Sequence, residues 1–499
     1  MCLCLCALAA VRIVAITLAD RAATNDPRRA LGWLAQHPQA LLTLAERQLE
    51  QGNVREARAS ARRLLIAEPL EGRGFRVLAA SADHAGDRDL ALALYEIAAR
   101  RSPRDTPSRA WLAEHYLLSG NYPASLAQID AILRKVPSQE RVLAPLLSQL
   151  SADPAFTAAL VRMLGSRPVW RGPLLSSMQA STGIDAVMTG LQQSGGLSEA
   201  EFDQWIASLM SQGRWGEAYA LWASAHPAPR LPLVYNGDFL TAPSGRGFDW
   251  RVTRVPAIEL SFLPGGRNGF VAQARFRRRP VAQLNLEHPL LLAPGPHRLT
   301  ARIRTQALSS EQGLEWRVVC DGAGTTIGAS AGISGTTGWH DVIADIDVPA
   351  RGCRGQWLRL HNPAPTGSAQ VVDGALWIDG VAIAGNALPG VAVARLQIER
   401  GAAWVGDGAA FTVATSGAAL SAGQQLMLGA GSSAHVVYTA RCAGRFTGPA
   451  VQAIAAQCDG TTSGNESAGR AASDIAAGLQ FEQAIVGSGL DRASQPAGR

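Results

Sequence analysis

Apolar and small residues recur through the first half of the chain at a fixed interval of 34 residues. Leu44, Leu78 and Leu112 form one column, Ala45, Ala79 and Ala113 the next, and Ala57, Ala91 and Ser125 a third. Gly52, Gly86 and Gly120, and then Pro69, Pro103 and Pro137, keep the same register. An interval of this length is one two-helix unit. Each unit reads as an antiparallel helix pair. The small residue of the first helix admits the second, the glycine allows a left-handed turn, and the proline ends the second helix because it cannot continue the hydrogen-bond ladder. GRWGEAYALW, with Gly213, Ala218 and Trp222, repeats the pattern in degenerate form, and residues 140–200 have helical texture without a clean period, as worn repeats would.

The chain opens on MCLCLCALAAVRIVAITLA, apolar apart from Arg12 and closed by Asp20 and Arg21. Its length is about that of a bilayer span, and Arg12 near its middle costs about 2.5–3.5 kcal/mol unless it snorkels. Residues 1–21 are expected to be a membrane anchor or signal segment, with a buried first helix of the repeats as the alternative. From residue 228 the helical period stops. Short alternating stretches follow, among them RLTARIRT, LEWRVVC, HDVIADIDV, QWLRLHN and ALWIDGVAI. With turn residues between them, these predict an antiparallel sandwich over 228–388. A second β-rich segment runs over 389–458. Residues 459–499 begin DGTTSGNESAGRAASD after Cys458 and are expected to be mostly disordered.

The repeat columns resemble the tetratricopeptide repeat, most clearly over 38–139 within a helical region of 22–227. The family's aromatic at the start of the first helix is Leu41, Phe75 and Arg109 here, so only the second unit keeps it. Such solenoids present a surface for a protein or peptide partner; the alternative is that the helices only hold the rest in place. The sandwich opens on LVYNGDF and FDW and closes on ALWIDGVAI, which resembles jelly-roll carbohydrate-binding modules. That resemblance implies glycan binding and a structural calcium ion shared by Asp238 and Asp379, hard oxygen donors suited to that cation. Gly417, Leu420, Gly423, Leu426, Gly429 and Ala434 resemble the β domain of FecR-type envelope proteins, with Gln424 where that family carries Asp. The expected fold class is therefore α then β: a tetratricopeptide-like solenoid, a jelly-roll sandwich and a small β domain.

At 499 residues the chain is too long for a single core. A net charge of +6, with 17% charged residues, argues against nucleic acid, which needs concentrated basic charge. The arginines of the repeats (Arg55, Arg58, Arg62, Arg63, Arg100, Arg101 and Arg104) read as a solvated helix face. The run Arg275 to Arg279 could meet an anionic polysaccharide or be a strand's solvent face. Cys2, Cys4 and Cys6 lie in the leader, which leaves Cys320, Cys353, Cys442 and Cys458. Two in each β-rich segment predict the disulfides Cys320 with Cys353 and Cys442 with Cys458, in an oxidising compartment such as the periplasm.

Sugar binding needs exposed rings. Trp250 and Trp339 adjoin turns and are the candidates, whereas Trp316, Trp357 and Trp377 lie within alternating strands and are expected in the core. No two of the nine histidines have zinc-helix spacing, and no phosphate loop or nucleophile elbow occurs. Glu259, Glu287, Glu315 and Asp345 are conceivable glycosidase carboxylates, without an assignable pair. The expected function is a non-enzymatic scaffold of a bacterial envelope or exopolysaccharide system, with no cofactor beyond the calcium. The rivals are a FecR-type signalling protein and a glycan hydrolase or lyase.

Overall fold

The repeat register folds as stacked helical hairpins. In the computed structural model, which describes residues 2–179, 184–226, 228–266, 269–385, 390–439, 442–458, 483 and 485–486, the chain divides into two compact units, residues 1–197 with 468–499, and residues 198–467.

The first unit contains α1 (Cys2–Ala22), α2 (Pro27–Trp33), α3 (Pro38–Glu50), α4 (Val54–Ala67), α5 (Gly72–His84), α6 (Arg88–Arg101), α7 (Thr106–Leu118), α8 (Tyr122–Lys135), α9 (Glu140–Leu150), α10 (Pro154–Gly165), α11 (Arg171–Met178) and α12 (Ile184–Gln193). Gly52, Gly86 and Gly120 turn α3 into α4, α5 into α6 and α7 into α8 at φ +77°, +80° and +73°, a region that side chains with a Cβ avoid. Ala45, Ala79, Ala113, Ala57, Ala91 and Ser125 are all fully buried where the paired helices touch. Pro69, Pro103 and Pro137 follow α4, α6 and α8 as stops. Arg76 of α5 bonds Asp105 at the start of α7 (3.1 Å) and Glu46 of α3, tying three hairpins together.

The end of α1 is part of this packing. Ala19 and Ala23 are buried with Ala30 and Ala40, and His37 bonds Asp20 at 2.8 Å. Farther back, Val11, Ile13, Val14 and Ile16 are exposed. Among the described residues no helix is long and apolar enough to cross a membrane. The region 459–499 lies outside the described residues except near Ile485, which is buried and whose carbonyl accepts a bond from Gln139 Nε2 at 3.2 Å.

The second unit begins with a helical hairpin, α13 (Glu199–Ser211) and α14 (Trp215–Ala225). Gly213 makes its turn at φ +74°, and Ala218 and Trp222 are buried. The degenerate repeat thus has the repeat's turn but groups with the β-sheets and not with residues 22–197. Its aromatics reach across to the sheets: Trp215 meets Trp357 of β10 edge-on at 5.5 Å, and Tyr219 meets Phe411 of β14 at 5.5 Å.

The strands are β1 (Arg230–Pro232), β2 (Arg251–Val252), β3 (Ile258–Pro264), β4 (Phe270–Pro280), β5 (Gln283–Leu290), β6 (Gly295–Ser309), β7 (Glu315–Cys320), β8 (Thr326–Ala329), β9 (Gly335–Val348), β10 (Gln356–His361), β11 (Val371–Gly385), β12 (Ala392–Arg400), β13 (Ala403–Gly406), β14 (Ala410–Ala414), β15 (Ala419–Ser421), β16 (Gln425–Leu428), β17 (Ser433–Thr439), β18 (Cys442–Thr447) and β19 (Ala450–Ala453). Two antiparallel sheets, β2-β5-β10-β7-β8 and β3-β4-β11-β6-β9, make the sandwich. Two more, β1-β14-β13-β16-β19 and β15-β12-β17-β18, make the smaller β domain. β1 opens the stretch expected to be sandwich, yet it pairs with β14 of the smaller domain.

Cys320 is bonded to Cys353 and Cys442 to Cys458, with Cα atoms 5.1 and 6.4 Å apart. Disulfides of this kind persist in oxidising compartments.

Candidate functional site

The outer face of the sheet β3-β4-β11-β6-β9 is built by strand alternation. On β11, Leu376 and Ile378 are fully buried, so Ala375, Trp377 and Asp379 project to the opposite side. On β6, Leu299, Ala301 and Ile303 are fully buried, which turns Arg298, Thr300, Arg302 and Arg304 outward. Trp377 stands in register between Gln273 of β4 and Arg304 of β6.

The face carries two pairs of ring and guanidinium. Arg304 lies 4.8 Å from the centre of the Trp377 ring, and Arg302 lies 5.4 Å from that of Trp339 on β9. A cation over an aromatic face is held by the ring's quadrupole, so each arginine is positioned beside its ring. Trp339 is 36% exposed, whereas Gln273 and Asp379 are nearly buried. Arg302 also approaches Asp379 at 4.0 Å. The result is apolar ring surface next to guanidinium hydrogen-bond donors, a combination that can meet a sugar's C–H face and its hydroxyls.

Its place within a strand implies the core for Trp377, and the structure reverses this. The legible signal was ALWID itself: with Leu376 and Ile378 inward, the residue between them must face outward. Trp357 also leaves the sandwich core, to lie between α14 and the guanidinium of Arg251 at 4.8 Å. Burial lowers the pKa of Arg251 against the opposing pull of Glu287.

Trp250 is the converse correction. It is fully buried, and a ring without exposed surface cannot stack on a sugar. The segment 236–250 folds back on itself. Trp250 Nε1 donates to the Asn236 carbonyl at 3.1 Å, and Asp249 accepts bonds from the Ser244 N–H at 2.7 Å and from Asn236 Nδ2 at 3.3 Å. The ring then packs on Phe239, His288 and Trp316. Adjacency to a turn therefore marked a loop anchor and not an exposed platform.

Asp238 and Asp379 come from segments that meet. The Val381 N–H donates to the Gly237 carbonyl at 2.7 Å, and a Cβ on Gly237 would stand 2.0 Å from the Val381 oxygen. Asp379 lies under the β3–β4 turn, where a Cβ on Gly266 would be 2.9 Å from its Oδ1. Among the described residues no group of three or more His, Cys, Asp or Glu side chains could hold a metal ion. Each conceivable glycosidase carboxylate is engaged by an arginine: Glu259 by Arg277 (3.3 Å), Glu287 by Arg359 (2.8 Å), Asp345 by Arg298 (2.8 Å) and Glu315 by Arg317. The RFRRR run does not keep one face. Arg278 sits at φ +52° beside the bulge opposite Val372 and Asp373.

No family model matches the chain, and no curated protein matches it. Among solved structures, one described as "CBM4 structure and function" aligns with 30% of this chain and 97% of its own length at 10% identity and a TM-score of 0.23. A thermophilic TPR protein of Thermus thermophilus aligns with 40% of this chain and 95% of its own at 22% identity and a TM-score of 0.21. YrrB, a TPR protein with an unusual peptide-binding site, aligns with 37% and 87% at 15% identity and a TM-score of 0.22.

Proposed function

We propose that this chain is a non-enzymatic scaffold of a bacterial cell envelope, in an exopolysaccharide or related glycan system, holding a protein partner on its helical repeats and glycan on its sandwich. The observation that carries the glycan assignment is the pair of outward tryptophans, Trp339 and Trp377, each with an arginine seated on its ring. The exposed Val11, Ile13, Val14 and Ile16 of α1 support tethering through the N-terminal segment, and the two disulfides support an exported, periplasmic setting.

Affinity electrophoresis of the full chain through gels containing different polysaccharides tests the reading. Retardation is expected on at least one gel, and Trp339→Ala combined with Trp377→Ala should weaken it about tenfold without changing the circular dichroism spectrum. Absence of retardation on every gel, or retardation indifferent to both substitutions, would refute glycan binding at this face.

A calcium ion between the ends carrying Asp238 and Asp379 belongs to the same reading, supported by their adjacency and by the oxygen donors they offer. Chelator should then lower the unfolding temperature of the wild type but leave that of Asp379→Asn unmoved. An unmoved wild type would remove the ion.

A further inference from the structure

The second unit also contains a cleft of about 830 Å³ where the α13–α14 turn, the loop 349–354 and β19 come together. Its size lies within the range of ligand sites, roughly 300–1,000 Å³. Three arginines line it, Arg214, Arg351 and Arg354, against one acidic side chain, Glu217. Arg214 Nε bonds Glu217 at 2.9 Å, so that pair is internally neutralised. Arg351 and Arg354 are exposed, and among the described residues neither has an ion-pair partner. The cleft therefore keeps two uncompensated guanidinium groups. Gln425 of β16 and Gln452 of β19 also line it.

The loop bearing these arginines is fixed from several sides. Cys353 is bonded to Cys320. The fully buried amide of Gln356 donates to the Cys353 carbonyl at 3.1 Å and accepts from the Leu292 N–H at 2.9 Å. Gly355 lies so close to Trp215 that a Cβ there would stand 1.9 Å from the ring, and Trp215 Nε1 donates to Asp321 at 3.2 Å. A loop held this way adds little backbone ordering cost on binding, which leaves only the two arginine side chains to be ordered.

We infer that this cleft is a second binding site, for an acidic polysaccharide whose carboxylates pair with Arg351 and Arg354. Guanidinium binds carboxylate through two parallel N–H···O bonds, and successive uronate residues of one chain carry a carboxylate each, so one ligand can engage both arginines. None of these residues belongs to the sheet face with Trp339 and Trp377, so the two sites fail independently.

Calorimetric titration of the full chain with an oligogalacturonate tests this. Arg351→Glu with Arg354→Glu is expected to weaken binding about tenfold to hundredfold, and raising salt from about 50 to about 500 mM should weaken the wild type strongly. Trp339→Ala with Trp377→Ala should leave this affinity unchanged, and an uncharged oligosaccharide should be indifferent to the arginine substitutions. Arg351→Gln with Arg354→Gln, which adds no repulsion, should give a smaller loss in the same direction. Failure to bind the oligogalacturonate, or binding equal in the charge-reversed protein, would overturn the site. Equally tight, arginine-dependent binding of an oligoglutamate would overturn the ligand class in favour of an acidic peptide.

Discussion

Trp250→Ala is expected to destabilise the second unit by about 3–5 kcal/mol, the range for emptying a fully packed aromatic site. Two losses add. The ring is fully buried among Phe239, His288 and Trp316, so its removal leaves a cavity that the two sheets cannot close. Its Nε1 also holds the Asn236 carbonyl, which would be left without that donor at the point where the 236–250 segment is tied down. Urea denaturation of the full chain, followed by near-ultraviolet circular dichroism, should show the midpoint of the sandwich transition shifted sharply. Trp339→Ala, at a ring 36% exposed, should shift it little. A Trp250→Ala protein of nearly wild-type stability that has lost glycan retention would restore Trp250 as a binding residue and refute the packing described above.

The helical half was legible because its signals are local. A left-handed turn requires glycine, a helix stop favours proline and a close helix crossing requires alanine or serine, so each column names its own cause. The turns at Gly52, Gly86, Gly120 and Gly213 all take the positive φ that the sequence required. The sandwich was legible in its alternation but not in its ends. β1 reads as the first strand of whatever follows, yet its partner is β14, far along the chain, and strand partners at that separation leave no trace in period or composition. Of the candidate tryptophans Trp339 is exposed and Trp250 is not, and Trp377, expected in the core, faces outward, for a related reason. A nearby turn implies exposure at Trp250, but the loop's own hydrogen bonds fold that ring inward; strand membership implies burial at Trp377, but the alternation of Leu376 and Ile378 points that ring out. Exposure on a sheet is set by the parity of the neighbours. The arginines seated on Trp339 and Trp377 could not be read, because they come from β6, a strand distant in sequence from either ring.

Acidification should weaken the same core through His288. The imidazole is almost wholly buried and bonds the Tyr235 carbonyl at 3.1 Å. Burial pushes its pKa down to about 4, outweighing the upward pull of that carbonyl and of Asp249, while Arg251 adds to the lowering. In the unfolded chain the same group titrates near its ordinary value of 6.5. Above that value neither state is protonated and His288 costs nothing. As pH falls below it, the unfolded chain takes up a proton that the folded core refuses, and stability is lost progressively until the folded group also protonates near pH 4. The full loss is about 3 kcal/mol, and about half of it should fall between pH 6.5 and pH 5. His297 and His361, whose pKa values burial also lowers, contribute in the same direction, so the diagnostic quantity is a difference in slope. His288→Gln can keep a donor for the Tyr235 carbonyl but does not titrate. Its unfolding free energy should therefore fall less steeply than the wild type's across this window, whatever it loses at pH 7. Parallel slopes for the two proteins would mean that His288 is solvated or already protonated in the folded state, and the enclosed Trp250–His288 core described above would be wrong.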